Sequence, residues 1–200
     1  MGDKTYFLGV TGGIGSGKSS VCKQLEALGA KVFNSDKEAK IIMAEDQEVI
    51  SLLKKSFGEG CYDSRGLLNR NYLASKVFGH AEQLKKLEDI IHPRVFAAFE
   101  KEKEKAIESQ IPLLVKEAAI LFESGSYRDL DGVLVVITDE ELRLKRVLKR
   151  NGVSEEQVRS RMKHQLSEKE LREKATFVVE NNGTEEELKS KVVELFHKLK

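Results

Sequence analysis

The feature that most constrains this chain is the run Gly12-Gly13-Ile14-Gly15-Ser16-Gly17-Lys18-Ser19, which follows the apolar stretch Tyr6-Phe7-Leu8-Gly9-Val10 and precedes a helical pattern. It satisfies G-x-x-x-x-G-K-[ST] at every specified position. Glycines let a backbone bend tightly enough for successive N–H groups to point inward at phosphate oxygens. The N-terminus of the following helix adds partial positive charge at the same place. Gly13, Ile14, Gly15, Ser16, Gly17, Lys18, Ser19 and Ser20 are therefore the candidate phosphate-binding residues. Lys18 supplies a point charge for the β- and γ-phosphates, and Ser19 supplies a hydroxyl for Mg²⁺.

The sequence predicts an α/β protein built outward from this loop. Val21, Leu25 and Leu28 recur at helical spacing, Gly29 stands where a C-terminal cap belongs, and Ala30-Lys31-Val32-Phe33-Asn34 reads as a second strand after almost no loop. So tight a connection implies a parallel βαβ unit whose functional edge lies at the carboxyl ends of the strands. Ser35 and Glu38 match a capping box for the next helix. Asp36 is not used by that box, and a carboxylate just past strand two is placed to act as a base or as a ligand to metal-bound water.

Residues 41–110 read as mostly helical, a long separation between the second and third strands that points to a substrate-binding insertion. Within it Leu84, Leu87 and Ile91 mark one helix. Pro93 is expected to end that helix and open a new one carrying Val95, Phe96 and Phe99 inward. His92 reads equally well as a capping or hinge residue and as a ligand contact.

Ile111-Pro112-Leu113-Leu114-Val115 is the third predicted strand, ending at Lys116-Glu117. An acid at a strand end beside a phosphate loop is what a Mg²⁺ site needs, and a solvated strand end is the plain alternative. The same two readings apply to Glu123. Gly132–Ile137 is the most continuous apolar run and belongs inside a parallel sheet. Beyond Asp139-Glu140-Glu141 the charge reverses: Arg143–Arg172 holds ten Lys or Arg against four Glu in a chain whose formal net charge is +1. Arg143, Arg146 and Arg150 share a helical face, Asn151-Gly152 makes a turn, and Ser154 with Gln157 caps a helix carrying Arg159, Arg161 and Gln165. A basic helical hairpin after strand four reads as a lid over polyphosphate. An RNA-binding patch is the weaker reading, because no aromatic residue is interleaved there to stack bases. Phe177-Val178-Val179-Glu180 gives a fifth strand, with Asn181 at its ligand edge, within reach of an adenine. Thr184 and Glu187 cap a last helix with the stripe Leu188, Val192, Leu195 and Leu199.

Near-neutral charge gives no whole-protein argument for nucleic acid, and no apolar run approaches the ~18 residues of a membrane span. Two isolated cysteines, Cys22 and Cys61, and a polar start without a leader pattern suggest a reducing, cytoplasmic setting. The parts predict a P-loop phosphotransferase: a five-stranded parallel sheet flanked by helices, with a helical insertion and a helical lid. A signalling GTPase fits poorly, since no N-K-x-D run is present. A nucleoside or nucleotide kinase and an ATP-dependent regulator both remain open.

A resemblance narrows this further. Leu8–Ser19, Asn34-Ser35-Asp36, Ile91-His92-Pro93, Leu121-Phe122-Glu123, the Arg146 and Arg150 pair, Arg159–Gln165 and Val179–Gly183 closely resemble the dephospho-coenzyme A kinases, in order and over nearly the whole chain. The resemblance implies transfer of the ATP γ-phosphoryl group to the ribose 3′-hydroxyl of dephospho-CoA, with Mg²⁺, as the last step of coenzyme A synthesis. It implies a nucleotide core (1–40, 111–138, 173–200), a CoA-binding insertion (41–110) and a lid (139–172). It further implies Asp36 as the base, and Lys18, Arg146 and Arg150 as cations on the transferring group. Asn181 falls to the nucleotide, and Asp36, His92, Glu117, Leu121 and Arg161 to the acceptor. Monomer and homotrimer both stay open. The chain departs from the family pattern at four places. Asn34 stands for the first acid of Asp-x-Asp, Glu117-Ala118-Ala119 for Asp-x-Pro, and Ala175-Thr176 for Ala-Asp, while Lys116 stands where apolar residues are usual.

Overall fold

The computed structural model describes residues 4–151, 154–163 and 165–199, with the side chains of Arg150, Asn151 and Arg161 outside the described set. Its contacts fall into two units, Met1–Asn34 with Glu102–Lys200, and Ser35–Lys101.

The first unit is a five-stranded sheet in the order β2-β3-β1-β4-β5. The strands are β1 (Tyr6–Thr11), β2 (Lys31–Asn34), β3 (Leu113–Glu117), β4 (Gly132–Ile137) and β5 (Phe177–Glu180). Every pairing is parallel. Period-two alternation splits β4 between two cores. Leu134 and Val136 join Leu8, Val10, Leu25 and Val115 under the helices α1 (Lys18–Ala27) and α9 (Glu185–Lys198), whose Val21, Val192 and Phe196 close that face. Val133, Val135 and Ile137 face the other way, onto Leu121, Phe122 and Leu171. A strand buried on both faces must read as unbroken apolar sequence, and all six residues of β4 are buried. Register matters most at one point, where Glu117 lies beside both Val10 and Asn34. The carboxyl ends of the three strands that frame the phosphate loop are thereby brought together.

Local signals fix several ends. The α1 helix stops as expected, with Gly29 at φ 98°. Thr184 and Glu187 form a reciprocal capping box at α9, as predicted. Ser154 and Gln157 exchange the same pair of bonds at α7 (Glu155–Lys163), both at 3.3 Å. A further box, Ser167 with Glu170, starts α8 (Glu168–Lys174). The predicted turn at Asn151-Gly152 extends beyond the described residues, and Asn151 itself ends α6 (Glu140–Asn151).

The second unit holds α2 (Ser35–Glu45), α3 (Gln47–Phe57), a short 3-10 turn (Glu59–Cys61), α4 (Arg70–Val77) and most of α5 (Ala81–Glu108). Asp46 caps α3 through the Glu48 and Val49 amides, and Asn69 caps α4 through the Tyr72 amide. Val49, Leu53, Phe57, Leu73, Val95 and Phe99 are buried.

Two expectations fail here. Pro93 does not end a helix, because α5 runs unbroken through it. The proline and Asp89, four residues earlier, are both exposed, so water can satisfy the carbonyl that loses its donor. Ile91, Val95 and Phe99 continue one buried stripe across the site. Ser35 does not cap α2 either: the helix already includes it, and its buried hydroxyl has no hydrogen-bond partner. Among the described residues no helix is long and apolar enough to cross a membrane.

Candidate functional site

Between β1 and α1 the chain reverses through Gly12 (φ 147°), Gly15 (φ 79°) and Gly17 (φ 93°). The last of these sets the geometry of the helix start. Gly17 is left-handed and provides no side-chain cap, so the first turn of α1 is left open to an anion. A Cβ on Gly17 would run into the Asn181 amide, and one on Gly12 into the Val136 carbonyl. Glycine is thus demanded twice, by φ and by space. Lys18 bends back over the loop, its Nζ donating to the Gly12 carbonyl at 2.8 Å and the Gly13 carbonyl at 3.2 Å. A triphosphate would find the ammonium already at the loop's mouth.

Distant residues hold the loop in this shape. Asn181 Nδ2 donates to the Ser16 carbonyl at 2.8 Å, and the Thr138 hydroxyl lies 3.0 Å from the same oxygen. The Ile14 amide donates to Gln165 Oε1 at 2.8 Å. Arg146 donates through Nη2 to the Asn181 carbonyl at 3.1 Å, which sets its guanidinium beside the loop. Asn181 therefore braces the loop, a task apart from the adenine contact expected of it. Ser16 is fully buried and its hydroxyl has no partner, while Ser20 is exposed in the first turn of α1.

On the strand side the centre is Glu117, 7% exposed. Its Oε1 accepts from Ser19 Oγ at 3.0 Å and its Oε2 from Asn34 Nδ2 at 2.6 Å. The buried Cys22 thiol also hydrogen-bonds to it, and burial, then the Glu117 charge, pushes that thiol well up from its usual range. Ser19 and Glu117 thus offer two hard oxygen ligands 3.0 Å apart, a donor set that fits Mg²⁺ completed by phosphate and water oxygens. No group of three or more His, Cys, Asp or Glu side chains suited to a metal occurs among the described residues, so the protein alone makes no closed cage.

The remaining candidates divide. Asp36 is exposed in the first turn of α2, two residues beyond Asn34. His92 is half-buried in α5 and stacks on Phe96, centroids 5.9 Å apart. Leu121 is not at a surface that a ligand could touch. Its side chain is fully buried, filling the space over Gly9 where a Cβ would stand 2.6 Å from it. Arg159 is ion-paired with Glu140, Glu141 and Glu155. Arg150 and Arg161 have side chains outside the described residues. Glu123 is exposed beyond β3. Two loop contacts were not among the expected site residues, Gln165 and Arg143. The helical spacing of Arg143 with Arg146 was the available signal for the second; nothing local marks the first.

A family model described as "Dephospho-CoA kinase" matches residues 6–187. A protein named dephospho-CoA kinase in Salinibacter ruber is 49% identical over 94% of this chain and 95% of its own length. A crystal structure of a Thermus thermophilus protein superposes with a TM-score of 0.84 at 36% identity, covering 98% of each chain. The structure of a dephospho-CoA kinase from Campylobacter jejuni, at 24% identity, shares the fold with a TM-score of 0.65 over 98% of this chain and 97% of that one. With a P-loop kinase fold, a phosphate loop closed by Lys18 and an acid at the end of β3, the chain belongs to the dephospho-CoA kinase family, whose members catalyse the final step of coenzyme A biosynthesis.

Proposed function

We propose the following division of labour for the transfer of the ATP γ-phosphoryl group to the 3′-hydroxyl of dephospho-CoA. The amides of residues 13–19 and the Lys18 ammonium hold the triphosphate, and Arg146 with Arg150 offsets charge on the group in transit. Ser19 and Glu117 are the residues that would hold Mg²⁺, which would supply positive charge to offset that of the phosphates. Asp36 accepts the proton of the 3′-hydroxyl as its oxygen forms the new bond to phosphorus and the bond from phosphorus to the β,γ-bridging oxygen breaks, releasing ADP. The unit Ser35–Lys101, including His92, binds the acceptor, and Arg161 is assigned to the same ligand. Leu121 has no part in binding. The protein works in the cytoplasm.

The observation that carries this reading is the bond from Ser19 to Glu117, which sets an acid against the helix start that follows the phosphate loop. Asp36 lies two residues beyond Asn34, whose side-chain amide donates to Glu117. ADP release from Mg-ATP, measured with dephospho-CoA, adenosine and AMP in parallel, tests the reading. Stimulation by dephospho-CoA alone, with coenzyme A as product, is expected. Equal stimulation by AMP or adenosine would transfer the chain to another acceptor class.

A further inference from the structure

Arg143 lies against the phosphate loop without any group to neutralise it. Elsewhere in the basic segment the arginines of known environment are spoken for. Arg159 is held by three glutamates and Arg172 by Glu168 and Glu180, while Arg146 is already bound through Nη2 to the Asn181 carbonyl and is assigned above to the transferring group. Among the described residues no carboxylate lies within ion-pair distance of Arg143, and its buried Nε has no hydrogen-bond partner. The loop is shaped around this residue. A Cβ on Gly13 would overlap the Arg143 guanidinium, and one on Gly15 would lie 2.6 Å from the Arg143 carbonyl.

A buried donor on a cation, left without an acceptor, is costly. Such a group persists where something absent from the free protein supplies the acceptor. Here the guanidinium rests on Gly13, inside the loop read as the phosphate site, and its planar fork matches phosphate oxygens better than a single ammonium does. We propose that Arg143 is a nucleotide-binding residue that donates to the phosphate chain when a triphosphate enters the loop, adding a second cation to Lys18. This rests on the reading of the loop as a nucleoside triphosphate site. Two consequences follow from the chemistry. Arg143 acts on nucleotides in proportion to their phosphate charge, and it is indifferent to the base.

Equilibrium binding of ATP, ADP and adenosine to the full chain, with no acceptor present, tests the assignment on the wild type, Arg143→Gln and Arg143→Lys. Arg143→Gln is expected to raise the Kd for ATP ten- to a hundredfold, in the range of one lost charge-assisted contact. The Kd for ADP should rise less, and adenosine binding should not change. Arg143→Lys keeps the charge and should lie between. Unfolding midpoints of the unliganded proteins identify loss of packing. ATP affinity within twofold of wild type in a folded Arg143→Gln protein would overturn the proposal and leave Arg143 as a packing residue. A wild type that binds ATP no better than adenosine would instead overturn the reading of the loop itself. If Arg143→Gln does not fold, Arg143→Lys decides: wild-type affinity for all three ligands contradicts a role for the planar fork.

Discussion

Ser19 Oγ donates to Glu117 Oε1 at 3.0 Å, joining the first turn of α1 to the end of β3 across 98 residues of sequence. The contact exists because β1 and β3 are parallel neighbours, with Val10 opposite Glu117. It places a hydroxyl and a carboxylate at the one edge where strand ends and a helix N-terminus converge. That convergence sets two protein oxygens side by side, the pair proposed above for a phosphate-bound cation.

Glu117→Gln tests what the carboxylate does there. The amide keeps the shape and one acceptor oxygen for Ser19, and its NH2 can donate to the Asn34 side chain once that amide turns its oxygen toward it, so the fold should survive. The Mg²⁺ concentration for half-maximal activity at fixed ATP should rise about tenfold or more, in line with the loss of a metal-shell partner. An unchanged Mg²⁺ titration would leave Glu117 a structural strand end.

Gly17→Ala combines two penalties, the left-handed φ of 93° and the collision with Asn181. Strain of this kind costs on the order of 1–3 kcal/mol. We expect a lower unfolding midpoint and a weakened affinity for ATP together. Asn181→Ala removes one of the two donors to the Ser16 carbonyl, leaving Thr138, and adds no strain, so it should weaken ATP binding with a smaller loss of stability.

Pro93→Ala should stabilise the protein. An exposed proline in the middle of α5 removes a helical hydrogen bond, and alanine restores it without disturbing the Ile91, Val95 and Phe99 stripe. The expected gain is about 1–3 kcal/mol in denaturant unfolding. A lower stability would mean that the ring itself packs.

Tyr62 gives a pH-dependent prediction. Its hydroxyl donates to the Met43 carbonyl at 2.7 Å, and burial, with Cys61 beside it, pushes its pKa up to about 12. Unfolding would return that pKa to about 10. The folded state therefore favours the protonated phenol, a contribution fully present below pH 10 and lost as pH rises toward 12, on the order of 2 kcal/mol. Denaturant midpoints for wild type and Tyr62→Phe should converge over that interval. Parallel curves would remove the phenol from the alkaline loss of stability.

These residues also show what a sequence reveals of such a site. The phosphate loop, β4 and the Thr184 box were legible because each is a short-range pattern with one physical solution. The dependence of Gly17 on Asn181, or of the Ile14 amide on Gln165, was not. These contacts join residues more than 150 positions apart, and no local period encodes them. Ser35 and Pro93 fail for the opposite reason. Each matches a strong local rule, and the surrounding helices override it, α2 by beginning at Ser35 and α5 by carrying a buried stripe through Pro93. Arg159 had the right charge on the right segment, yet Glu140, Glu141 and Glu155 claim it. Leu121 sits in a motif that resembles the family's and is fully buried all the same.

The central claim separates two tasks, with the loop unit holding ATP and Asp36 taking the acceptor's proton. Comparison of wild type and Asp36→Ala, by ATP binding and by dephospho-CoA-dependent ADP release on the same preparations, tests it most directly. We predict unchanged ATP affinity and turnover lowered by about 10²-fold or more, the usual contribution of a general base. Turnover retained within a few-fold of wild type would contradict it, and the proton would then have to leave by a route that does not involve Asp36.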